Sequence, residues 1–94
     1  VSLVDVRKKS EFESEHMIDA ENLPLDFIND SMSKIDSSKT YHVHCAGGYR
    51  SMIFISTLRA RGFTNLIDIN GGFKAIKESG LFKLTNYVCP STLL

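Results

Sequence analysis

The sequence predicts an α/β domain: a small, mostly parallel central sheet flanked by helices on both faces. Three observations predict it. Short β-prone apolar runs at residues 3–6, 40–44 and 66–69 alternate with stretches of helical apolar spacing, joined by connections of a few residues. A cysteine, Cys45, stands at one strand-to-helix corner, where open parallel sheets take their ligands. The length of 94 residues, 43% of them hydrophobic and 23% charged, suits one domain with a modest core.

Taken in order, Leu3-Val4-Asp5-Val6 is a buried strand ending at Arg7. Ser10-Glu11-Phe12-Glu13 fits an S-x-x-E capping box, which predicts a short helix from Ser10. Residues 16–24 read as a loop and then a short strand halted by Pro24. Leu25, Ile28, Met32 and Ile35 fall at helical spacing, with polar residues between them, so an amphipathic helix follows. After a polar loop at 36–39, residues 40–44 form the strand that feeds Cys45. From Ser51 an apolar run is helical and ends at Gly62, with Arg59 and Arg61 in its last turn. A strand at 66–69, a turn at Asn70-Gly71-Gly72 and a helix over 73–79 complete the alternation. The tail, 81–94, adds either an edge strand or a clasp.

Composition excludes several functions. Eleven basic residues balance eleven acidic ones, and the basic residues are scattered, so neither nucleic acid nor an acidic membrane surface is an expected partner. No apolar run approaches the ~20 residues of a membrane span, and no signal peptide is visible. Cys45 and Cys89 lie 44 positions apart, which is neither a zinc spacing nor a C-x-x-C pair. His42 and His44 share one strand face without a third ligand, so no metal is expected. A working thiol at Cys45 implies a reducing compartment, and the cytoplasm is the expected location. Cys89 is read as a small, partly buried hydrophobe, a resolving partner being the sharper alternative.

The chemistry concentrates at Tyr41-His42-Val43-His44-Cys45-Ala46-Gly47-Gly48-Tyr49-Arg50-Ser51. A thiol between a strand end and a helix start meets loop amides and the positive end of the helix dipole. Both favour the thiolate, the form that attacks sulfur, phosphorus or arsenic. Gly47 and Gly48 allow positive φ and keep side chains out of the concavity. Arg50 is expected as a fixed cation at the rim, against the plainer reading of a solvated surface arginine. Tyr49 either walls the pocket or is a loop aromatic. His44 should point away from Cys45 and pack rather than act as a base. Asp5 and Arg7 are expected as part of a polar network beneath the loop, structural in the plainer reading and catalytic in the sharper one, and Phe73 either borders the pocket or joins the core. The site requires amides that converge on the sulfur and a thiol that is not sealed under packed side chains.

These motifs resemble the rhodanese (sulfurtransferase) homology domain over nearly the whole chain. Leu3-Val4-Asp5-Val6-Arg7, Glu11-Phe12, His16-Met17-Ile18, Ala20 and Asn22-Leu23-Pro24 are similar to its first signature. Gly62-Phe63, the strand at 66–69 and Gly71-Gly72-Phe73 are similar to its second, and Cys45 to Ser51 stand where the family carries its nucleophile loop. Glu15 and Asp19 depart from common glycines, and Ile76 from a common tryptophan. The family's usual first strand is absent, and the chain opens on Val1, so residues 1–94 are expected to be one module of a longer protein. A fused, upstream metallo-β-lactamase-like domain is one parent that the resemblance implies.

The resemblance further implies a persulfide mechanism. Cys45 takes a sulfur from a small-molecule donor, thiosulfate or a low-molecular-weight persulfide. Backbone N–H groups of Ala46, Gly47, Gly48, Tyr49, Arg50 and Ser51 hold it, and a thiol or cyanide acceptor removes it. No cofactor is needed. Only four residues separate Cys45 from Arg50. The related phosphatases and arsenate reductases carry a loop one residue longer, so the cradle suits a sulfur atom better than phosphate. Arg50 is the loop's lone cation, which favours a persulfide or polysulfide donor over the thiosulfate dianion. The competing class is a non-catalytic regulatory or protein-binding module.

Overall fold

A computed structural model of the protein describes residues 2–87. Among the described residues four strands form one parallel sheet: β1 (Ser2–Asp5), β2 (Glu21–Asn22), β3 (Tyr41–His44) and β4 (Leu66–Asp68), in the spatial order β2-β1-β3-β4. β1 pairs with β3 from Ser2↔Tyr41 to Asp5↔His44, and β3 pairs with β4 from Tyr41↔Leu66 to Val43↔Asp68. The helices are α1 (Lys9–Ser14), α2 (Ile28–Met32, preceded by a 3-10 turn at Leu25–Phe27), α3 (Tyr49–Ala60) and α4 (Gly72–Ser79).

Alternation along the strands sorts the residues into two layers. Val4, Val6, Val43 and Cys45 pack with Leu23, Phe54, Ile55, Leu58 and Leu66 on the face covered by α3 and the α2 region. Asp5, Arg7 and His44 point to the opposite face, where Phe73 of α4 stacks near His44 with ring centroids 6.0 Å apart. The predicted three-layer α/β architecture is therefore the observed one.

Several boundaries differ from expectation. α1 begins at Lys9 rather than Ser10, because Glu11 rather than Glu13 reaches back to cap it, accepting the Lys8 N–H at 3.1 Å. α3 begins at Tyr49 rather than Ser51, directly after Gly48 at φ 106°, so half of the expected loop is the helix's first turn. The apolar run of α3 is buried only along Ser51, Phe54, Ile55 and Leu58, while Met52 and Ile53 lie 61% and 37% exposed. The helix expected after Pro24 stops at Met32, short of Ile35.

The start of the tail is a clasp. Leu84 bridges Met17 in antiparallel sense, with Ile18 N–H donating to the Lys83 carbonyl and Thr85 N–H to that of His16, both at 2.9 Å. Cys89 and the apolar end of the tail fall outside the described residues. The two departures from glycine have distinct backbone consequences. Glu15 sits at φ −165°, extended backbone that any residue adopts, whereas Asp19 takes φ 72°, where aspartate is among the few side chains tolerated.

Candidate active site

Cys45 follows β3, and its carbonyl end is fixed by the start of α4. The Phe73 N–H donates to the Cys45 carbonyl at 2.6 Å and the Lys74 N–H to that of Ala46 at 3.2 Å. Gly72 permits this approach. Its φ is 63°, and a Cβ there would stand 2.6 Å from the Cys45 carbonyl oxygen and 2.7 Å from that of Ala46. Gly72 was expected only as part of a turn. The paired glycines were the available signal, but the partner they make room for lies 27 residues earlier and leaves no local trace.

The sulfur sits where the cap of α3 would otherwise be. Gly48, the residue before the helix, has no side chain to accept first-turn amides, and Cys45 Sγ takes that place for the Ser51 backbone. The Gly48 N–H donates to Sγ at 3.0 Å. Ser51 Oγ lies 3.6 Å from Sγ and donates in turn to the Gly48 carbonyl at 3.1 Å. Burial works to raise the thiol pKa. Hydrogen bonding with the Ser51 backbone and hydroxyl, then with the amides of Gly48 and Gly47, outweighs it and brings the pKa below that of an ordinary thiol. Of the six loop amides expected, that of Gly48 meets Sγ directly, and those of Gly47 and Ser51 add to the lowering of the thiol pKa.

The second requirement, a thiol open to solvent, is not met. Cys45 is only 1% exposed, because the strand turns its side chain into the apolar layer beside Val43 and Phe54 while the loop closes over it. The space next to the loop is open: a Cβ built on Gly47 or Gly48 would meet nothing within 4 Å. A groove of about 440 Å³ elsewhere, between α3 and β4, is lined by Met52, Ile55, Ser56, Arg59, Leu66, Ile67 and Asp68 and does not include Cys45.

The remaining predicted residues divide. Tyr49 is 77% exposed and faces solvent, so it walls nothing. Arg50 is neither a solvated arginine nor an open cation. Its Nη1 and Nη2 donate to Glu11 Oε1 and Oε2 at 2.6 and 3.1 Å. That bond raises the Arg50 pKa and lowers that of Glu11, against the opposing effect of burial on each. Glu11 was quoted in a motif but not expected at the site, since a contact across 39 positions has no local signature.

His44 is fully buried on the other face, as expected, with Nδ1 3.3 Å from the Cys45 carbonyl oxygen. Asp5 and Arg7 form the expected network: Arg7 Nε and Nη2 both donate to Asp5, Nη2 at 2.8 Å, and the guanidinium lies 4.2 Å from the centroid of the Phe73 ring. Phe73 is core rather than pocket rim, at 8% exposed. Among the described residues, no three or more His, Cys, Asp or Glu side chains are grouped to hold a metal ion, and no helix is long and apolar enough to cross a membrane.

A cysteine held by loop amides beyond a central parallel strand, over a buried acid–base layer, defines a cysteine-loop α/β domain. The chain belongs to the rhodanese-like domain family, whose model matches residues 1–79. It is 36% identical over 72 residues to the uncharacterised Bacillus subtilis protein YqhL, covering 77% of this chain and 57% of that protein. It is 35% identical over 72 residues to the thiosulfate sulfurtransferase GlpE of Pseudomonas savastanoi pv. phaseolicola, covering 77% and 68%. Among solved structures, a rhodanese-related protein from Thermoplasma volcanium superposes with a TM-score of 0.81 at 26% identity, covering 89% of this chain and 82% of that one. A rhodanese-like domain protein from Staphylococcus aureus gives 0.78 at 30% identity, covering 88% and 79%. The chain spans about half the length of the first curated relatives it matches, 57% and 45%.

Proposed function

We propose that this domain is a sulfurtransferase that carries sulfane sulfur on Cys45. The observation that supports the reading most is the Gly48 N–H aimed at Sγ from 3.0 Å, in a setting that lowers the thiol pKa. The Cys45 thiolate attacks the outer sulfur of thiosulfate or of a low-molecular-weight persulfide. The donor's S–S bond breaks, its electron pair leaves with sulfite or the donor thiolate, and a Cys45 persulfide remains. The amides that hold the thiolate then hold the terminal sulfur's negative charge, as donors held in place in advance hold an oxyanion. A thiol or cyanide attacks that outer sulfur and restores the Cys45 thiolate. No step calls for a cofactor. A reducing, cytoplasmic setting fits a thiol used in this way, and a fused upstream domain remains part of the proposal.

The 1% exposure of Cys45 favours a second reading, a rhodanese-like module that binds or regulates without transferring sulfur. Mass spectrometry separates the two. Incubation with donor should add one sulfur atom to the intact protein and none to Cys45→Ser. An unchanged mass with both thiosulfate and glutathione persulfide favours the binding module.

A further inference from the structure

Arg50 carries the only charged side chain between Cys45 and Ser51, and Glu11 holds both of its terminal nitrogens. The pair joins α1 to the first turn of α3, with the two side chains 36% and 29% exposed, so it is open to solvent, and Arg50 stands near enough to Cys45 for the two charges to interact. A bidentate carboxylate occupies the fork that an anionic donor would otherwise use and cancels its charge. Glu11 is itself anchored, because its Oε1 also accepts the Lys8 N–H that starts α1. The carboxylate therefore cannot swing away without uncapping its own helix.

We infer that Glu11 is a specificity-determining residue: by occupying Arg50 it tunes the Cys45 loop towards sulfur donors of low charge and against dianions. The inference rests on the sulfurtransferase reading and deepens it. Glu11 acts through Arg50 and does not touch the reacting atoms.

Thiosulfate and methanethiosulfonate test it, since both offer a terminal sulfur on a sulfonyl sulfur but differ by one negative charge. Transfer from each to Cys45 releases sulfite or methanesulfinate, and cyanide serves as the common acceptor. Glu11→Gln keeps an oxygen for the Lys8 N–H and removes the charge. It should raise kcat/KM for thiosulfate about fivefold relative to methanethiosulfonate, the size expected of one part-exposed ionic contact. In an Arg50→Met background, the same substitution should leave that ratio unchanged. A lowered rate with both donors equally, or a changed ratio that persists without Arg50, would overturn the inference. The wild-type protein offers a check that needs no variant: with the cation already paired, the donor ratio should vary little with ionic strength, and a steep dependence would overturn the inference. Absence of transfer in the wild type from thiosulfate, methanethiosulfonate and glutathione persulfide alike would instead defeat the sulfurtransferase reading, and this inference with it.

Discussion

The two faces of the sheet are made from alternate residues of the same strands, yet they are stabilised by opposite chemistry. Val4, Val6 and Val43 point into an apolar layer with Phe54 and Leu58, which is held by burial and dispersion. Asp5, Arg7 and His44 point the other way into a layer just as closed to solvent, at 0%, 6% and 0% exposed, where a buried ion pair takes the place of packing. The apolar face holds the cysteine side chain. The ionic face holds the backbone that aims it, through Arg7 over Phe73 and the Phe73 N–H on the Cys45 carbonyl. In so small a domain, the division gives the Cys45 thiol a nonpolar floor and a directional support at once.

The sharpest way to break this contrast is to delete one member from each face. Asp5→Ala strands a buried guanidinium and should cost about 3–5 kcal/mol. Phe54→Ala opens a cavity and should cost about the same. Either change takes a large part of the ~5–15 kcal/mol that holds such a domain together. The difference lies in rescue. Adding Arg7→Met to Asp5→Ala removes the unpaired charge and should recover much of the loss in urea melts, whereas the apolar cavity has no charge to remove. A double variant no more stable than Asp5→Ala alone would show that the ionic layer contributes through geometry rather than charge balance.

A smaller effect is expected where the two faces meet. Gly72→Ala would combine a left-handed φ with contact against two carbonyl oxygens, for about 2–4 kcal/mol. It should also loosen the latch on the Cys45 carbonyl. Iodoacetamide should then alkylate Cys45 with a midpoint closer to the ~8.5 of a free thiol than in the wild type. Loss of stability with an unchanged alkylation profile would separate α4 docking from the thiol's environment.

Sequence alone carried the alternation of elements, the parallel sheet and the position of Cys45, because period-two and helical spacings are local and the strand-to-helix corner is contiguous. It also carried the sidedness of His44, since neighbours on a strand point apart. It missed what is settled between distant segments. Glu11 reads as a helix-start residue in either the sequence or the structure, but its second partner, Arg50, lies 39 positions on. Gly72 reads as turn chemistry until the Cys45 carbonyl is placed against it. The early start of α3 was hidden for a physical reason: the sulfur, rather than a capping side chain, meets the N–H of the cap residue Gly48 and the first-turn backbone of Ser51, and no propensity scale counts a thiol three residues upstream as a cap.

The gentlest probe of the contrast is acid, because the buried histidine of the two faces, His44, lies on the ionic side. His44 has its pKa lowered chiefly by burial, and Arg7 adds to this. The Asp5 and Asp68 charges and the hydrogen bond to the Cys45 carbonyl oppose it without prevailing. A histidine held neutral in the fold gives stability that is complete above its unfolded pKa of ~6.5 and is lost as pH falls from there through the lower folded value. Thermal melts should therefore show Tm declining below about pH 6.5, before the carboxylates protonate. Glu11, whose pKa is lowered by Arg50, adds its own loss only at more acid pH, as its carboxylate protonates. His44→Gln should flatten the upper part of that decline while leaving the lower part. If Tm is level between pH 7 and 5 in the wild type, the ionic face accommodates a charged imidazole, and His44 belongs with Asp5 and Arg7 as a charged partner rather than as a neutral spacer between them.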